Sequence, residues 1–129
     1  MKTSLPPAIC AALLVAVPAA GHHSGTMFDD DKTVTVEGVV KEFQYTNPHS
    51  WLLVDVPGAD GKVTTWGFEA EGPTTLMMRQ VRRSDFTPGT RVTITGHPMK
   101  DGRPAAAWVK AVRADGKQFY PRGQAAAEP

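Results

Sequence analysis

The sequence predicts an all-β domain with one short helix, closed into a small five-stranded barrel. Three observations point that way. Alternating apolar and polar residues recur in short runs, ordered as three strands, one helix and two strands. The first run is long and changes phase near Gly38. Turns containing Gly58 and Gly61, Asp101-Gly102 and Asp115-Gly116 punctuate the runs, because glycine tolerates positive φ.

The first strand is expected over Thr33 to Tyr45. Val34, Val36 and Val40 alternate with polar neighbours; Val39, Phe43 and Tyr45 then fall into step, so Gly38 should carry a bulge or sharp bend. Ser50 to Val56 forms the second strand, with Leu52, Val54 and Val56 on one face and Trp51 and Leu53 on the other. After a turn, Val63 to Ala70 returns with Trp66, Phe68 and Ala70 sharing a face. Pro73 suits a first helical position, and a helix is expected over Thr74 to Arg83. Leu76, Met77, Gln80 and Val81 form its inward stripe, while Arg79, Arg82 and Arg83 make a solvated, dipole-complementing side. Pro88-Gly89 leads into a fourth strand at Arg91 to Thr95, and a fifth spans Ala105 to Val112. A long, bent first strand and a helix between the third and fourth strands match an OB-like barrel over residues 33–120. An open α+β sheet with the helix on one face is the alternative. Residues 121–129 lack a core pattern and read as a disordered tail.

Residues 1–21 read as a cleaved signal peptide. Lys2 opens the segment, Leu5 to Val17 is uncharged and mostly apolar, and Ala19, Ala20 and Gly21 supply the small residues that cleavage requires. A membrane span needs roughly 20 apolar residues; this run is shorter and is interrupted by Pro6, Pro7 and Pro18. Cys10 follows Ile9, not the small residue that a lipoprotein acceptor cysteine needs. The expectation is a periplasmic or secreted protein with no stable membrane anchor. Cys10 is the single cysteine and leaves with the signal, so no disulfide or cysteinyl metal site is expected. Cleavage also removes one basic residue, Lys2, and no acidic one, so the formal charge of +1 falls to zero. Nucleic-acid binders carry a basic excess, and none is expected here.

Residues 22–32 form an N-terminal arm that begins with two histidines. Cleavage after Ala19 or Ala20 places a histidine at position three of the mature chain. There the α-amine, two backbone amides and an imidazole can enclose a square-planar Cu(II) or Ni(II) ion. Cleavage after Gly21 lets the amine and imidazole of His22 chelate together. His49 precedes the second strand and His97 follows the fourth, and in OB barrels those two connections border one binding face. His22, His23, His49 and His97 are therefore the candidate ligands for copper or a similar transition metal. Asp29, Asp30 and Asp31 read as a solvated acidic turn that can add oxygen ligands.

A second class of function is a non-catalytic module that binds a periplasmic partner protein, a saccharide or a small ligand. Its candidate residues are Tyr45, Asn47, Trp51 and Trp66. No enzymatic activity is expected. The sequence has no Gly-x-Ser-x-Gly elbow, no phosphate-cradling glycine loop and no His-Glu-x-x-His. Glu69 and Glu71 share one strand face and read as solvent-exposed carboxylates.

His22-His23-Ser24, Val36-Glu37-Gly38, Thr46-Asn47-Pro48-His49-Ser50-Trp51 and Gly96-His97-Pro98 resemble a family of small exported bacterial proteins known as domain of unknown function 6152. The resemblance runs from His22 to Phe119, and Asn-Pro-His-Ser is its most specific part. It implies export and a small β-barrel-like domain, and brings no activity, cofactor or partner with it. Gly72-Pro73 departs from the Ser-Pro usual there, at a cost of a few tenths of a kcal/mol for the lost side-chain cap.

Overall fold

The computed structural model describes residues 27–127. Its strands are β1 (Val34–Gln44), β2 (His49–Pro57), β3 (Val63–Glu71), β4 (Arg91–Pro98), β5 (Ala105–Arg113) and a two-residue β6 (Gln118–Phe119). The helix α1 (Pro73–Met78) lies between β3 and β4. β1 is shared between two neighbours: Val34 to Val39 pair with β4, and Val39 to Gln44 pair with β2, both antiparallel. β2 and β3 form a hairpin in register from His49↔Glu71 to Pro57↔Val63. Closure comes from a short parallel contact of Gly67, Phe68 and Glu69 with Ala105, Ala106 and Ala107. The order around the ring is β1-β2-β3-β5-β4, the closed five-stranded OB-like arrangement. β6 adds to the free edge of β5.

Gly38 is the right residue for a different reason. The bulge lies farther along, between Val40 and Glu42, where Lys41 is the extra residue. It lets Val40 and Phe43 both face the core although they are three positions apart, and it leaves Val39 outside. Gly38 is absent from the positive-φ glycines. Gly38 stands just before Val39, where the pairing of β1 passes from β4 to β2, and the β2 backbone comes very close. A Cβ there would sit 2.8 Å from Val54 Cγ1 and closer still to Asp55 O.

The helix is shorter than the periodicity predicts. Gln80 adopts φ 59°, and its N–H donates to Met77 O at 3.0 Å while that of Val81 donates to Leu76 O at 2.8 Å. This is a Schellman ending built on glutamine instead of glycine. Leu76 and Val81 enter the core, whereas Met77 and Met78 are 56% and 73% exposed, so Met77 does not pack as expected. Relieving the left-handed strain with Gln80→Gly should stabilise the domain by roughly 1 kcal/mol. The check is a rise in the urea midpoint with an unchanged m-value.

The core is aromatic at the end where α1 packs. Phe86 meets Phe43, Trp108 and Phe119 with ring centroids 5.8, 5.2 and 4.7 Å away. These tilted contacts suit the aromatic quadrupole. Tyr45 Oη lies 2.9 Å from Val81 O and 3.2 Å from Pro73 O, so its one proton ties both ends of the helical segment to β1. Burial raises the Tyr45 pKa, which keeps that hydroxyl a donor.

The segment expected to be a disordered tail begins with ordered, tethered residues. Pro121 is buried, Arg122 Nε donates to Trp108 O at 3.2 Å, and Gln124–Ala127 form a 3₁₀ turn. β6 causes this: it carries Phe119 into the core and starts the tail against β5.

Candidate functional site

Two of the four candidate histidines, His49 and His97, lie among the described residues, and both are on the barrel. His49 is the first residue of β2 and His97 lies near the end of β4, not in the connections after the strands. β4 runs three residues beyond its expected end because Gly96, His97 and Pro98 continue to pair with β5. His22 and His23, with the expected signal peptide, fall outside the described residues.

His49 Nδ1 donates to the Glu69 carboxylate through Oε1. Glu69 is only 3% exposed, so the expectation of a solvated carboxylate fails. Its strand neighbours explain the burial: Trp51 on β2 lies on one side and Ala107 on β5 lies on the other. Oε2 of Glu69 is buried with no hydrogen-bond partner. A carboxylate in that position leans on His49 for compensation. The His49 ring is partly exposed, and its Nε2 is the nitrogen left free of Glu69.

The loop before His49 is built around Gly72. A Cβ at Gly72 would collide with Asn47 Oδ1 and lie 3.1 Å from Pro48 O. Glycine at this position thus makes room for the Asn47-Pro48 turn, whose peptide bond is cis. Ser50 Oγ donates to Thr46 O at 3.3 Å beneath it. Asn47 is exposed on this loop, while Trp51 lies over Gly67 and Trp66 stacks with Phe68 at 6.1 Å. Trp51 therefore sits on the outer face of the hairpin, and Trp66 packs against the core. With Tyr45 engaged to the helix, the four candidate ligand-binding residues do not share one face.

His97 has a different neighbour, the N-terminal arm. Its Nδ1 lies 2.7 Å from Lys32 O. A carbonyl only accepts, so Nδ1 carries a proton, and in the neutral ring Nε2 is then the nitrogen with the lone pair. The arm runs beside the end of β4: Asp29 N–H donates to Pro98 O at 2.8 Å, Lys100 N–H donates to Met27 O at 3.0 Å, and Phe28 bridges Met99. Phe28 is buried, which anchors the arm by an apolar side chain as well. A Lys32–Asp29 ion pair of 2.9 Å closes its turn, and the hydrogen bond from Lys32 lowers the Asp29 pKa.

His49 and His97 thus have separate partners. β2 and β4 are not adjacent in the ring. Among the described residues, no group of three His, Cys, Asp or Glu side chains is arranged to hold a metal ion. Sequence reasoning missed Glu69 as a partner for His49. The signal was present in the hairpin: with its turn at residues 58–62, Glu69 pairs with Trp51 and stands diagonal to His49.

Fold and site together define a small closed β-barrel with a docked N-terminal arm and two oxygen-oriented histidines. A family model, the family of unknown function DUF6152, matches residues 11–107. The chain belongs to that family. No curated protein and no solved structure matches it.

Proposed function

We propose that this protein is an exported metal-binding barrel, handling copper or a similar transition metal. His22 and His23 at the processed N-terminus form the chelating core, and His97 is the barrel's contribution. The single observation that supports this reading is the course of the arm along Pro98 to Lys100. His23 is four residues from Met27, a reach of at most about 14 Å. Lys100, which holds Met27, is three residues from His97, or about 10 Å along an extended chain. The free Nε2 of His97 has the form found in metal-ligating histidines, whose other ring nitrogen donates to an oxygen. His49 is assigned to holding Glu69, outside this site.

The test is titration of native-start protein with Cu(II) near neutral pH. One ion should bind, and affinity should fall as acid protonates the imidazoles. His22→Ala with His23→Ala should abolish uptake, because the pair supplies the imidazole under every cleavage choice. An added N-terminal residue should also weaken binding by turning the α-amine into an amide. No stoichiometric Cu(II), Ni(II) or Zn(II) uptake would refute the reading. Trp51, exposed in part over Gly67, would then favour the partner-binding module.

A further inference from the structure

A groove lies between the end of β1, α1 and residues 82–88. Its floor and walls are Phe43, Tyr45, Phe86, Met77 and Pro88, and its volume is ≈ 560 Å³. Arg82 and Arg83 stand on its rim, with Glu42 as the one carboxylate beside them. The two arginines are exposed and make no salt bridge among the described residues. The nearest acidic group in sequence, Asp85, is already engaged: it accepts from Arg82 N–H at 2.8 Å and pairs with Arg113 at 3.6 Å and Lys117 at 3.4 Å.

We propose that this groove binds a single-chain anionic amphiphile, a medium- or long-chain fatty carboxylate. The apolar floor takes the chain, and Arg82 and Arg83 take the head group. Three features select that chemistry. The volume falls in the range of small-ligand sites, roughly 300–1,000 Å³. The rim carries two cations against one anion, which favours an anionic head over a neutral or cationic one. Met77, left 56% exposed by the early end of α1, gives the groove a flexible wall that adapts to an acyl chain. The inference is independent of the metal reading, since no candidate metal ligand lines the groove.

The experiment uses metal-free mature protein and sodium dodecanoate below its micelle threshold. Calorimetry should show one saturable site, and amide shifts should concentrate at residues 82–88. Arg82→Glu with Arg83→Glu should weaken binding by at least about tenfold, while Arg82→Lys with Arg83→Lys retains most of it. Met77→Asp, at an exposed position that leaves folding intact, should weaken binding too. Dodecyltrimethylammonium should not bind. Binding equal in the charge-reversed protein would overturn the proposal, as would no dodecanoate binding. Acetate competing as well as dodecanoate would overturn it by showing a simple anion site. Preference for an acidic apolar peptide over dodecanoate would overturn it in favour of a protein partner.

Discussion

Gly38→Val is expected to destabilise the domain by about 3 kcal/mol, at the upper end of the range for overpacking. The added side chain has nowhere to go. Its Cβ meets Asp55 O, a backbone atom fixed by the β2–β3 ladder, and Val54 Cγ1, which faces the core. For a domain of this size that corresponds to a fall in Tm of roughly 10–20 °C. Gly38→Ala carries the same Cβ and should cost nearly as much, which separates close approach from β-branching. An unchanged melting midpoint in both variants would mean that β2 does not crowd β1 at this point.

His49→Ala is expected to cost about 2 kcal/mol. Removing one partner of a buried ion pair commonly costs more, but His49 is partly exposed and water screens some of the loss. The destabilisation arises from Glu69, left buried with neither oxygen partnered. Glu69→Leu in the same chain should recover most of the stability, because the unpaired charge is then gone. Chemical denaturation of the two single variants and the double variant measures the coupling. Additive losses would show that His49 and Glu69 do not act as a pair.

Much of the barrel was legible because its strands are half-buried. Leu52, Val54, Val92 and Ile94 alternate with more exposed residues, and all four are inside, as are Phe68 and Ala70. What local patterning missed depends on distant partners. Glu69 reads as a surface carboxylate until β5 closes the barrel beside β3, placing Ala107 next to it. The phase change in β1 was visible, but its position at Lys41 follows from the register with β2 and not from the glycine. The helix ends early because Gln80 takes a conformation that glycine usually supplies, so no glycine marks the stop. Phe119 lies beyond the last expected strand, yet it anchors the segment that read as a tail. Among the histidines, the pairing of His97 with Lys32 needed the path of the arm, which no periodicity encodes.

The most direct measurement is the Cu(II) affinity of native-start protein beside His97→Ala and His49→Ala. The proposed site takes His97, beside the docked arm, as the barrel ligand, so His97→Ala should weaken binding by at least about tenfold. His49→Ala, compared under conditions where both variants are folded, should bind as tightly as the wild type. Equal affinity in wild type and His97→Ala would contradict the assignment of His97 and reduce the site to a chelate of the terminus alone. Absence of any stoichiometric uptake by the wild type would contradict metal binding itself.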